Sequence, residues 1–203
     1  ASPARKGPIF VMSSIKKLEI TSQQKWSFGL LLILTLCVLP IANIRAASAP
    51  YSFDFESAVG SEWSSAVTDN SSATNFSRFS GRFGNETQSL TLTGLTAGEK
   101  YTLRFDLYII DSWDGNATVS SPDSFLVKID GNEIFRHTFS NYNGNPPSYP
   151  QTYPYNPDIG RSNLGFASTF VDAIYRSIEL EFVANASTAI IAFQCQGLQL
   201  ISD

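Results

Sequence analysis

The chain is poor in the residue types that most often carry chemistry. Its 203 residues include two cysteines, one histidine, one methionine and three tryptophans, and 16% of them are charged. Zinc sites need several histidine or cysteine ligands, so composition excludes them. The lone histidine, His137, stands between Arg136 and Thr138, and there is no Gly-x-Ser-x-Gly to supply a nucleophile for a histidine-based triad. It reads as an ordinary strand residue. Cys37 falls inside an apolar run that lacks the small residue expected before a lipid-modified cysteine, and Cys195 is left alone downstream. With no internal disulfide expected, the fold must rest on a core of ordinary size. No convincing amphipathic helix and no internal repeat is found.

Charge is also missing from one long stretch, Trp26 to Ile44, within which Phe28–Pro40 is almost wholly apolar. Lys16, Lys17 and Lys25 precede the run and Ala46-Ala-Ser-Ala49 follows it. A basic region, an apolar core and small residues, in that order, form a secretory signal, here predicted as a helix. The alternatives are a buried helix or a transmembrane anchor, but the apolar core is short of the roughly 20 residues that span a bilayer. Met12 reads as the natural start and residues 1–11 as an upstream translation artefact. Residues 12–49 are then the signal peptide, cut after Ala46 or Ala49, and 50–203 the exported domain.

Six of the 14 basic residues and one of the 18 acidic residues lie in 1–46, leaving a domain with 8 basic and 17 acidic residues and a net charge near −9. Such a surface repels nucleic acid and anionic lipid and suits cations or neutral ligands. Neither nucleic-acid binding nor membrane insertion of the mature domain is expected.

What is abundant is alternation with a period of two. Tyr101, Leu103, Phe105, Leu107 and Ile109 face one way while Thr102, Arg104, Asp106 and Tyr108 face the other. Ile178, Leu180 and Phe182 alternate with Glu179 and Glu181, and Phe125, Val127 and Ile129 form another set. Segments 51–55, 90–93, 133–139, 188–194 and 198–201 complete about eight strand candidates. Asp130-Gly131-Asn132 reads as a tight hairpin turn, because Asp-Gly tolerates the positive φ it needs. The expectation is an all-β fold, a two-sheet antiparallel sandwich of jelly-roll topology. Two long connections stand apart. Residues 57–86 are rich in Ser, Asn and Thr, and residues 140–165 hold five prolines and four tyrosines. Loops of this length in a compact domain tend to be functional or disordered.

Within the loops, Asp111-Ser-Trp-Asp-Gly115 follows the longest apolar strand. Asp111 and Asp114, with Asp123 from the next loop, offer hard oxygen ligands to calcium, in a structural role; the other reading is a turn whose carboxylates accept backbone N–H bonds. Trp113, Tyr149, Tyr153 and Tyr155 are candidate ligand-stacking residues, with Trp113 alternatively a loop anchor. Glycosidases need two carboxylates, and Asp111, Asp114, Glu56 and Glu62 are available, but acids are common in this chain and mark no pair. No catalytic residue is assigned.

The segments Phe105-Asp-Leu-Tyr-Ile-Ile-Asp-Ser-Trp-Asp-Gly115, Asp123-Ser-Phe-Leu-Val-Lys-Ile-Asp-Gly131 and Thr138-Phe-Ser-Asn141 resemble a family of secreted β-sandwich modules. These occur in exported surface proteins, some with a PEP-CTERM-type sorting tail, and their fold is similar to lectin-like, carbohydrate-binding jelly rolls. The resemblance spans residues 51–203 and implies fold and location more than activity. Family members close with an acidic-Ser-Trp-Gly-Asp-Asn-Val-like strand that this chain stops short of at Ile201-Ser-Asp203, so the domain is expected to be truncated at its C-terminus. The functional expectation is a secreted or cell-surface, non-catalytic module binding carbohydrate or an extracellular protein. A structural domain of a surface or matrix protein, and a glycoside hydrolase, are the alternatives. Asn70, Asn75, Asn85, Asn116 and Asn185 head Asn-x-Ser/Thr sequons, which are glycan sites in a eukaryotic secretory pathway.

Overall fold

A computed structural model describes residues 9–10, 12–23, 47–70, 77–111, 113–116, 121–141, 150–166, 170–198 and 200–201. They form twelve strands: β1 (Ile9–Phe10), β2 (Met12–Ser22), β3 (Ala47–Ser48), β4 (Tyr51–Phe53), β5 (Thr87–Thr93), β6 (Lys100–Ile110), β7 (Ser124–Ile129), β8 (Asn132–Thr138), β9 (Ile159–Ser162), β10 (Asp172–Val183), β11 (Thr188–Gln196) and β12 (Leu200–Ile201). One five-stranded sheet has the order β4-β2-β6-β10-β9 and the other β3-β5-β11-β7-β8, while β1 pairs with β12. All pairings are antiparallel except the two-residue β3–β5 contact. The protein is an all-β sandwich, as its alternation predicts. No helix occurs among the described residues, and none is therefore long and apolar enough to cross a membrane.

The alternation fixes which faces meet. Tyr101, Leu103, Phe105, Leu107 and Ile109 of β6 are buried against Leu90 and Leu92 of β5, Phe125 and Val127 of β7, and Ile191 and Phe193 of β11. Each fully buried aliphatic or aromatic side chain contributes about 1.5–3 kcal/mol. Phe105, Phe125 and Phe193 meet at centroid distances of 5.7–6.4 Å, so aromatic edges and faces fill the space between the sheets. At its far end β6 departs from period two: Tyr108 and Ile110 are buried as well, under Phe79, Leu164 and Ile174 on the outer face. Loop residues Phe79 and Leu164 thus cover part of a face that the pattern assigns to solvent.

The Asp130-Gly131 hairpin forms as predicted, with Ile129 opposite Asn132 and both turn residues at positive φ (50° and 82°). Met12–Ser22, placed by sequence in the leader ending at residue 49, is the strand between β4 and β6, with Ile15, Leu18 and Ile20 buried in the common core. Ala47–Ser48, inside the same expected leader, pairs with β5. The pattern hid β2 because it carries a bulge between Lys16 and Leu18 and a left-handed residue, Lys17 (φ 50°), which shift its apolar residues out of strict alternation. The apolar run 28–40 lies outside the described residues.

Candidate functional site

Residues 153–158 of the Pro- and Tyr-rich connection form one wall of a groove of about 630 Å³ on the flank of the sandwich. Its other walls are edge strand β8, through Phe135 and His137, and the stretch of β10 from Tyr175 to Leu180. Strand β9 reaches β10 near Asp172 and Ile174, and among the described residues no strand lies beside the rest of this edge of β10. There β10 bulges between Tyr175 and Ile178, with Ser177 at φ 54°. Asp158 accepts the Arg176 N–H (2.7 Å) and Asp106 the Ser177 N–H (2.8 Å), which holds the bulge open toward the groove. Bulges commonly re-aim side chains beside functional sites.

A small set of hydrogen bonds pins the tyrosine loop. Thr152 and Thr138 exchange bonds, each hydroxyl accepting the other's backbone N–H at 2.8 Å. Gln151 reaches three elements at once: its carbonyl oxygen accepts from the Ser140 N–H (3.1 Å) and the Tyr175 hydroxyl (3.0 Å), while its amide donates to the carbonyls of Tyr153 (3.0 Å) and Tyr155 (2.9 Å). Tyr153 is half-buried, its ring 4.9 Å from Phe139 and 5.4 Å from Tyr175, and burial raises its phenol pKa. Tyr155 stands edge-on to Tyr153 at 5.6 Å and is 67% exposed. His137 lies 5.5 Å from the Tyr153 ring, with Nδ1 3.2 Å from the Thr152 hydroxyl. The result is a rigid aromatic base carrying one exposed ring, rimmed by His137, Asp158, Arg176 and Glu179. Chemically it can stack on an apolar face and hydrogen-bond at its rim, which is what a sugar ring or an extended peptide requires.

The structure sorts the sequence-predicted residues. Tyr153 and Tyr155 line the groove, and Tyr149 lies outside the described residues. Trp113, read from the sequence as a ligand-stacking residue or a loop anchor, is 0% exposed and edge-on to Phe139 at 6.3 Å, the placement of an anchor. Its backbone N–H donates to the Asn141 side-chain Oδ1 (2.6 Å), and its backbone carbonyl accepts the Asn141 backbone N–H (3.1 Å). His137, read as an ordinary strand residue, lines the groove. Only the three-dimensional meeting of β8 with the 153–158 loop signals that, since nothing local distinguishes it.

Of the acids named as calcium ligands, the carboxylate of one is seen to serve the backbone. Asp123 accepts the Asp114 N–H (2.7 Å), closing the loop between them. Asp111, at φ 59°, gives its N–H to the carboxylate of Asp172 (2.9 Å), a buried acid that also accepts the Leu164 N–H (2.8 Å). Among the described residues no three His, Cys, Asp or Glu side chains converge as a metal-binding group. The second oxygen of Asp123 is buried without a hydrogen-bond partner among those residues, as is the Ser140 hydroxyl. Burial pushes the Asp123 carboxyl up to about 7, helped by the charge of Asp114 and opposed by the Asp114 N–H; burial raises Asp114 and Asp172 too.

The remaining carboxylates considered for hydrolysis are dispersed. Glu56 pairs with Lys16, and Glu62 accepts from the Tyr51 hydroxyl at 3.2 Å. Among the sequons, Asn70 and Asn185 are exposed. The Asn85 side chain is committed to the backbone of Leu198 (2.8 and 3.1 Å), and that of Asn116 accepts from the Thr138 hydroxyl (2.7 Å). Asn75 lies outside the described residues. Compared with family models, with curated proteins and with solved structures, the chain finds no match in any of the three.

Proposed function

We propose that the protein is an exported, non-catalytic binding module that holds a carbohydrate or a surface-protein segment in the groove between β8, β10 and the 153–158 loop. The observation that carries this reading is Tyr155, a large ring left mostly in solvent although the loop beneath it is fixed by Gln151 and Thr152. Loose exposed aromatics are common on protein surfaces; one held on a preorganised base has lost its conformational freedom before any ligand arrives. The acidic domain suits neutral ligands, and the resemblance to lectin-like sandwiches agrees with a sugar.

The test is a glycan array followed by titration of the best ligand. Tyr155→Ala is expected to weaken that ligand about tenfold, corresponding to about 1.4 kcal/mol of lost stacking, with no change in melting temperature. Unaltered affinity in Tyr155→Ala would remove the groove from consideration. Absence of any ligand would favour a purely structural domain. Export has its own measurement: protein recovered outside the cytoplasm of its native host should begin between Ala47 and Tyr51, and an intact cytoplasmic chain starting at Met12 would contradict the signal.

A further inference from the structure

The strand that the export reading removes is an internal strand of the sandwich. β2 is hydrogen-bonded to β6 from Met12–Ile110 to Ser22–Tyr101, and it is the strand to which β4 pairs. Basic flanks of export signals stay on the cytoplasmic side, so residues 12–22 cannot sit in this sheet once the domain has crossed. Losing them uncovers one edge of β6 and detaches β4. It also opens the core positions of Ile15, Leu18 and Ile20. Every other strand among the described residues already has a place, so none is left over to close the gap.

The slot has the marks of a receptor for a strand. Ser80 clasps the occupant through its backbone: the Ser80 hydroxyl accepts the Ile15 N–H (3.0 Å), and the Ser80 N–H donates to the Ile15 carbonyl (3.0 Å). The Ser14 hydroxyl adds to the clasp, donating to the Ser80 carbonyl (2.9 Å) and lying 3.1 Å from the Ser80 hydroxyl, so Ser80 reads the occupant's backbone and one small hydroxyl side chain. Beside it, Glu56 and the Arg78 carbonyl bind the Lys16 ammonium, which is unusual inside a sheet and leaves Lys16 only 8% exposed. The present occupant fits imperfectly. Lys17 is held in the left-handed region at a bulge. Both polar atoms of Gln88, 1% exposed, lack partners among the described residues, beside a small void lined by Ser14 and Ile15.

We propose that the gap between β4 and β6 is a strand-acceptor site which residues 12–22 fill before export, and which afterwards takes an extended segment of another protein with aliphatic residues at the Ile15, Leu18 and Ile20 positions and a basic residue at the Lys16 position. It rests on the export reading and concerns a different surface from the Tyr155 groove, so either can fail without the other. The resident strand serves as the probe. A protease site is inserted between residues 24 and 46 of the full chain, the folded protein is cut, and a fluorescent peptide of residues 12–23 is added. The cut chain should take up one peptide per domain. A peptide carrying Lys16→Glu, which sets like charges together, should bind about tenfold more weakly or worse, and one carrying Leu18→Asp should not bind. A cut chain that keeps its melting transition while taking up no peptide would overturn the proposal. So would swapped dimers without peptide uptake, which would place a second copy in the slot. Hydrogen exchange on the intact chain gives a second reading: β2 amides should exchange faster than those of β7 and β11, and equal protection would make β2 a permanent strand.

Discussion

Leu18→Ala is expected to destabilise the full-length chain by about 3 kcal/mol, lowering its melting temperature by roughly 6–12 °C. Leu18 is fully buried, opposite Phe53 on β4 and Phe105 on β6, and its truncation leaves a cavity at the centre of the first sheet. The effect is diagnostic because Leu18 belongs, by sequence, to the basic flank of a leader, where such a change would leave domain stability untouched. Lys17→Gly serves as the control. Lys17 is exposed and left-handed, so glycine should be neutral or slightly stabilising. Thermal and urea melts followed by circular dichroism read both. If Leu18→Ala melts with the parent, residues 12–22 do not form β2 in solution.

Asp123→Asn is expected to stabilise the protein at pH 8 by about 2–4 kcal/mol and to have little effect near pH 3.5. Asp123 is 2% exposed with one unpartnered oxygen, and its folded-state pKa of about 7 stands above the unfolded value near 3.9. Between those values the unfolded chain gives up the proton while the folded chain keeps it. Stability from this group is thus complete below about pH 4, falls as pH rises through the window, and is lost above about pH 7. Asparagine removes the charge and retains an oxygen to accept the Asp114 N–H. Urea titrations across pH 3.5–8 measure the difference, and a variant no more stable than wild type at pH 8 would show that Asp123 ionises without cost. Calcium provides a further arm. A wild-type melting temperature raised by millimolar calcium, with the rise abolished in Asp123→Asn, would mean that Asp114 and Asp123 hold a cation.

The legible parts of the fold were those in which local pattern and burial coincide. In β6, residues 101–107 alternate because one face meets the opposite sheet and the other meets water, and the Asp130-Gly131 turn is dictated by backbone sterics alone. Reading failed where a tertiary partner supplies what the local sequence lacks. β9 is four residues within a proline-rich connection, too short to show a period, and exists because β10 offers it an edge. For Trp113 the sequence left both a ligand-stacking and a loop-anchor reading, and the partners that bring it inside, Asn141 and Phe139, are distant in the chain. The groove was half legible: an aromatic loop is visible in sequence, whereas its meeting with His137 and the β10 bulge is not.

By itself the sequence determined an all-β sandwich, because side-chain alternation with a period of two permits few other ways to bury Phe105, Phe125, Phe193 and their aliphatic neighbours. It also determined the acidic character of the chain, which depends on composition alone. Tertiary structure decided which acids are buried, which tyrosine faces solvent, and that Lys16 and its neighbours belong to the core sheet. Those outcomes depend on contacts between residues distant in the chain, as when Glu56 and Arg78 receive Lys16 and Gln151 ties the tyrosine loop to β10. No local window of sequence contains both partners of such a contact, so only the folded chain can specify it.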